Sequence, residues 1–383
     1  MKHNRKMIYL AGFLFSMPIA LASYINSSFL SSFVGEKFVS IIYVLGSIGS
    51  ILALLLAPKI FRKIGGYRFL LLVILLDAFS FLMLSVAENI WSAIAMFILG
   101  FSMNTLLIFS LDELLEIFSR NSATGKIRGI YLVVCNAAWV LAQLFSGTIL
   151  GGFSYRTIYL ISFSIMTLFL IISFLNLKNI PDPKYDKIKS FTFISEFFKN
   201  KNLFRAYTLS FLLQFFYSWM VIYTPIYLYA YLGFSWQEIG IIFAIMLLPF
   251  VLIQFPLGKY SDKIGERKML IFGFFVIALA TLSLFFIREH SLWLWAMLLF
   301  ATRIGAATIE VSGDAYFFKH IKPENEEFVG VYRSASPIAY IIGPFSAFIV
   351  FLFIPSFNFI YIILGTLMLA GIYLSSTIEK SDI

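Results

Sequence analysis

The stretch GKYSDKIGERK, Gly258 to Lys268, sits between two long apolar runs. A weaker copy, PKIFRKIGGYR, occupies Pro58 to Arg68, 200 residues earlier. That offset, with apolar segments flanking both copies, marks an internal duplication of a large unit. The flanking segments are too long and too uniform for a soluble core, so the duplicated unit is a bundle of membrane helices.

Composition agrees. Of 383 residues, 60% are hydrophobic and 13% charged, against roughly 25% charged in an ordinary soluble domain. Twelve apolar spans follow, near residues 8–30, 38–57, 69–87, 90–111, 130–150, 158–177, 206–230, 236–256, 269–287, 292–313, 329–353 and 357–377. Each approximates the ~20 residues a helix needs to cross ~30 Å of hydrocarbon.

The formal net charge of +9 raises the question of nucleic acid, and the placement of the basic residues answers it. With both termini on one side, that side holds 24 of the 29 Lys and Arg. The opposite side holds Lys37, Arg156 and Arg288, while Arg303 and Arg333 fall within spans. This is a topology signal that puts both termini in the cytoplasm. The cations are too dispersed for a nucleic-acid footprint and suit anionic lipid head groups. The basic start, apolar run and Ala20-Leu21-Ala22 imitate a cleavable signal peptide, but the run continues to Phe33, and its loss would break the duplication. A single cysteine, Cys135, excludes an internal disulfide and any multi-cysteine metal site.

The long polar interruption at 178–205 divides the chain into a first half at 1–177 and a second at 206–383. It contains the amphipathic piece FTFISEFFKN, in which Phe191, Ile194, Phe197 and Phe198 recur at helical spacing. Such a piece is expected to lie along a membrane surface. The remaining loops are short, which makes successive helices antiparallel neighbours.

Twelve helices in two halves of six, a long central linker and the loop pattern G-x-x-x-D-[RK]-x-G-x-[RK]-[RK] resemble the major facilitator superfamily over essentially the whole chain. The second-half copy carries Gly258, Asp262, Lys263, Gly265, Arg267 and Lys268. The first-half copy has Pro58 and Arg62 where glycine and the acid stand in the family pattern, and keeps Lys63, Gly65 and Arg68. The resemblance implies an all-α integral membrane protein of two pseudo-symmetric six-helix bundles.

A glycine in such a loop lets helices approach, and its charges can grip partners across a closed cytoplasmic face. The family fold sets the second-half loop against the start of the fifth helix, offering Lys126 and Arg128 to Asp262. It sets the first-half loop against Glu324 to Glu327, offering Glu326 or Glu327 to Arg62 or Lys63. Two latches of opposite sign are thus one expectation. Ordinary solvated loop charges, worth ~0 to 1 kcal/mol per pair, are the other. Asp112 and Asp314, 202 residues apart at the cytoplasmic ends of the fourth and tenth spans, extend the set. Asp112 has Arg68 or Arg128 within prospect, and Asp314 has Arg267 or Arg333.

The tenth span carries the sharpest chemical signal. Arg303, Ala307, Glu310 and Asp314 are spaced 4, 3 and 4, one stripe of a helix. Inserting a mid-bilayer arginine costs ~2.5–3.5 kcal/mol on insertion scales, so Arg303 is a candidate functional residue by position alone. Glu310 is two turns away, roughly 10 Å along the axis, too far for a firm bond to Arg303 unless a side chain reaches back. Glu310 is either a site that exchanges protons for substrate or, with Arg303, a brace for helix packing.

Softer candidates for polar contacts are Asn26, Asn104, Gln214, Tyr217, Tyr223 and Gln254, with Thr105, Asn136, Gln143, Trp219 and Thr224 beside them. Each also suits an interhelical hydrogen bond of ~0.6–2 kcal/mol. Asp77, mid-span in the third helix, has no evident role.

His3, His290 and His320 lie in the tail and loops and form no triad or metal spacing, and no Gly-rich phosphate loop occurs. An enzyme, a cofactor and a metal are therefore not expected. The expectation is a monomeric, multi-pass transporter of the cell membrane, plasma or inner, working by alternating access. Proton-coupled efflux of an amphipathic or drug-like small molecule comes first. Uptake of a sugar or organic anion, and a non-transporting scaffold or receptor, are the alternatives.

Overall fold

The computed structural model describes residues 2–119, 124–178, 192–254, 256–257, 263–321 and 327–378, and these contain no strand. The chain is all-α. In order, the helices are α1 (Lys2–Ser23), α2 (Asn26–Val34), α3 (Glu36–Ile64), α4 (Gly66–Ser85), α5 (Ile90–Ser119), α6 (Thr124–Gly152), α7 (Tyr155–Asn176) and α8 (Thr192–Lys199). They continue with α9 (Lys201–Ile226), which runs into a π-helical turn at Tyr227–Tyr231, then α10 (Trp236–Leu252), α11 (Glu266–Phe286), α12 (Leu292–His320), α13 (Glu327–Arg333), α14 (Ala335–Phe351) and α15 (Phe359–Thr377).

Eleven segments among the described residues are long and apolar enough to cross a membrane. The eighth expected span differs: α10 has 17 residues. Pro249 inside it lacks a backbone donor and disturbs the ladder. Beyond it, the Leu257 amide donates to the Ile253 carbonyl over 2.9 Å. The first span crosses as one segment, Lys6–Val34, with a turn at Tyr24 and Ile25 that divides it into α1 and α2. Large apolar side chains such as Leu55, Phe174, Phe286 and Phe353 stand exposed, as the lipid-facing surface of a membrane bundle requires.

The residues form two compact units, Met1–Tyr185 with Phe234–Ala244, and Asp186–Gly233 with Ile245–Ile383. In the first unit α4 packs on α5 and α7, and α1 packs on α5, α6 and α7. In the second α11 packs on α12 and α15, and α9 packs on α12, α14 and α15. The same pairing scheme therefore occurs twice.

The duplication extends to single residues. From 67 to 84 and from 267 to 284, the order of buried, half-buried and exposed positions is identical. Each of these helices starts from a glycine with a left-handed backbone, Gly65 at φ +81° and Gly265 at φ +89°. Other residues resist that conformation because their Cβ meets the following carbonyl. The glycine in both loop motifs is thus a chain-turning device that launches α4 and α11.

The first turns of α10 pack on α6 within the first unit. A Cβ on Gly147 would stand 2.6 Å from the Trp236 carbonyl oxygen and 2.7 Å from the Gly240 Cα. Only glycine permits that approach. The amphipathic helix α8 does not rest on its apolar face through lipid alone. Phe197 is fully buried, with rings of Tyr207, Phe317 and Phe328 around it.

Candidate functional site

In the second unit, α12 turns Gly305 toward α11 and Arg303 and Glu310 toward α9. A Cβ on Gly305 would meet the Gly273 carbonyl oxygen of α11 at 2.6 Å. This close crossing sets α12 firmly in the unit and leaves its Arg303 side to the aromatic run of α9.

Arg303 is 1% exposed. Its guanidinium carbon lies 5.5 Å from the ring centre of Phe216 and 5.2 Å from that of Tyr217, within cation–π range. Its Nε and Nη1 have no hydrogen-bond partner among the described residues. Tyr217 reaches past it. The phenol donates to Oε2 of Glu310 over 3.2 Å, and the Tyr217 ring also meets Phe250 of α10, centre to centre 6.4 Å. Glu310 therefore takes its hydrogen bond from α9 and interacts with Arg303 through space.

Asp314, one turn further, is held separately. Tyr332 donates to its Oδ1 over 3.0 Å, and Nη2 of Arg333 donates to its Oδ2 over 3.2 Å. The stripe thus divides into a guanidinium between rings, a carboxyl on a phenol, and a carboxylate on a tyrosine and arginine from α13.

The other sequence candidates are dispersed. Gln214 is half-buried one turn from Tyr217 on α9, and Gln254 is half-buried beyond the last turn of α10. Tyr223 is fully buried against Trp219, Phe351 and Phe357, a packing role. In the first unit Asn26 accepts from the Tyr159 hydroxyl over 2.8 Å. Oδ1 of Asn104 is buried without a hydrogen-bond partner among the described residues. Gln143 donates to the Ala20 carbonyl over 2.9 Å, an interhelical tie. Asp77 is buried at 1% exposure, and its Oδ2 also has no hydrogen-bond partner among the described residues.

Among the latch residues, Lys63, Arg68 and Lys268 are exposed and Arg267 is half-buried. Gly258, Asp262 and Glu326 lie outside the described residues, as do the side chains of Arg62, Asp112, Lys126, Arg128 and Glu327. The loop motif holds an acid that pattern reading passed over. Glu266 is fully buried and pairs with Lys319, joining the start of α11 to the end of α12. Sequence reading also missed Phe216 and Tyr332. Phe216 is one of several aromatics in a row, and Tyr332 enters only because α13 docks beside α12. Among the described residues no group of three or more His, Cys, Asp or Glu is placed to hold a metal.

The model of the Major Facilitator Superfamily matches residues 7–248 and 224–380. The structure is similar to that of the nucleoside transporter NupG, with a TM-score of 0.79, 12% identity, and coverage of 97% of this chain and 98% of that one. It is also similar to an inward-facing, unoccupied bacterial homologue of the human lysosomal transporter Spinster, with a TM-score of 0.69, 14% identity, and coverage of 97% and 94%. The human organic anion transporter MFSD10 (TETRAN) gives a TM-score of 0.68 at 15% identity, with coverage of 97% and 98%. At these identities the likeness is one of fold. No curated protein sequence matches the chain.

Proposed function

This chain belongs to the Major Facilitator Superfamily, and from that premise we propose that it is a secondary transporter carrying an amphipathic small molecule across a membrane by alternating access, coupled to protons. It is a multi-pass membrane protein. Its basic loops support a cytoplasmic position for both termini, and a monomer in the cell membrane completes the proposal.

One observation carries the reading: the Tyr217 hydroxyl bonded to Glu310 beside the buried Arg303. Charged groups are expensive inside a membrane bundle, and those kept there mark substrate or ion pathways. A carboxyl whose single described hydrogen bond comes from a phenol can accept a proton without breaking an ion pair. Aromatic faces at the half-buried Tyr217 and Phe250 supply apolar contact for a substrate body.

The test is transport in proteoliposomes under an imposed pH gradient, run beside substrate exchange with no gradient. Glu310→Gln is expected to lose gradient-driven accumulation and retain exchange. An unchanged response to the gradient in Glu310→Gln removes Glu310 from coupling. Absence of both activities from the wild-type protein, across a metabolite and drug library, favours a scaffold or receptor instead.

A further inference from the structure

We infer that Arg303 is the docking point for the charged end of the substrate, and that the substrate is a monovalent organic anion, a carboxylate on an apolar or aromatic body. This rests on the transport reading above and names the class of compound it moves.

The guanidinium is the starting point. It is buried, and its Nε and Nη1 donate to no described residue. Buried donors left without a hydrogen bond are costly, and a fork of planar donors matches carboxylate and phosphate geometry. The two acids on the same helix stripe have taken other donors. Glu310 is bonded by Tyr217, and Asp314 by Tyr332 and Arg333. Among the described residues, three donors thus serve the acids of the stripe, and neither acid accepts from Nε or Nη1 of Arg303.

The surroundings narrow the class further. Rings of Phe216 and Tyr217 lie 5.5 and 5.2 Å from the guanidinium carbon, so the group beside the anion meets apolar faces. A dianion is disfavoured, because one guanidinium faces it while Glu310 and Asp314 follow on the same stripe. A phosphate monoester is therefore the poorer fit and a carboxylate the better one. The anionic head of a lipid shares this chemistry, and the lipid composition of the assay separates the two sources.

The experiment uses the full-length protein in nanodiscs of phosphatidylcholine, read by thermal unfolding. Probes are phenylacetate, hippurate and octanoate, set against phenylacetamide, phenethylamine and phenyl phosphate, with phosphatidylglycerol added to the discs in a separate arm. The carboxylates are expected to raise the Tm, and the amide and amine to leave it unmoved. Arg303→Lys is expected to weaken the carboxylate effect by about 10- to 100-fold in apparent affinity, and Arg303→Met to abolish it. Without any ligand, Arg303→Met is expected to melt at or above the wild-type temperature, since the two buried donors that lack hydrogen bonds are gone.

Silence of every carboxylate, an equal response to the amide, a shift seen only with phosphatidylglycerol, or ligand-free Arg303→Met melting below wild type each overturns the assignment. Flux in proteoliposomes keeps the two readings apart. Carboxylates that bind through Arg303 but are not carried leave the anion site standing and remove transport. A neutral substrate carried equally well by Arg303→Met keeps transport and removes the site.

Discussion

The ring of Tyr217 stands with its centre 5.2 Å from the guanidinium carbon of Arg303. The same side chain ends in the hydroxyl that engages Glu310. One residue of α9 therefore addresses both the cation and the acid of α12, although these are two helical turns apart. A change at Arg303 or Glu310 is accordingly expected to be felt through Tyr217.

Tyr217→Phe keeps the ring over Arg303 and removes the donor to Glu310. Loss of that hydrogen bond costs about 1 kcal/mol, and the Tm should fall modestly. Proton-driven transport should fall further than substrate binding, as seen by comparing flux under a pH gradient with ligand-induced shifts in Tm. Equal losses in the two would make Tyr217 a packing residue.

The Glu266–Lys319 pair joins a fully buried acid to a lysine that is 48% exposed. Lys319→Ala should destabilise the second unit by about 1–3 kcal/mol, because it takes a paired cation away from a buried acid. Glu266→Gln should be milder, and the double variant Glu266→Gln/Lys319→Ala should recover part of the loss. A double-mutant cycle on thermal unfolding measures the coupling, and additive effects would mean that the pair contributes nothing.

Gly65 and Gly265 each hold a positive φ at the start of a helix. Alanine at either place should lower stability by about 1–2 kcal/mol, measured by thermal unfolding. A Cβ on Gly265 would meet nothing within 4 Å, so backbone strain alone should account for the loss there. Asparagine should be no milder at either, since the ψ angles of 157° and 141° lie outside the left-handed helical well that asparagine tolerates.

Gly147→Ala places a methyl group against the Trp236 carbonyl and the Gly240 Cα. The obstructing atoms are backbone and cannot rotate away. Displacement of the first turns of α10 should cost about 1–3 kcal/mol. Gly152→Ala, whose Cβ would meet nothing within 4 Å, serves as the control and should melt with the wild type.

Much of the architecture was legible because it is written in runs of residues. Apolar stretches of about 20 announce the spans, and the loop repeated from Pro58 at Gly258 announces the duplication. The stripe of Arg303, Glu310 and Asp314 was equally plain, since helical spacing is local. What each member touches was not. Phe215, Phe216 and Tyr217 look alike as a run, and only the packing of α9 on α12 selects the last two for Arg303. Glu266 reads as one more loop charge until the turn at Gly265 sends it inward to Lys319. The break at Tyr24 and Ile25 has no mark in the sequence that we can identify.

The matched burial of α4 and α11 makes the molecule its own reference state. Asp77 and Ile277 occupy corresponding places, 200 residues apart, and both are buried. Ser80 and Ala280 are a second such pair. Each position from 67 to 84 thus comes with a side chain already accommodated at the same degree of burial in the other helix. Exchanging partners across the repeat, beginning with Asp77→Ile, weighs a polar group against the apolar residue that its twin adopted, with no outside sequence needed for comparison. Where the exchange raises stability, the polar group has been retained for something other than folding.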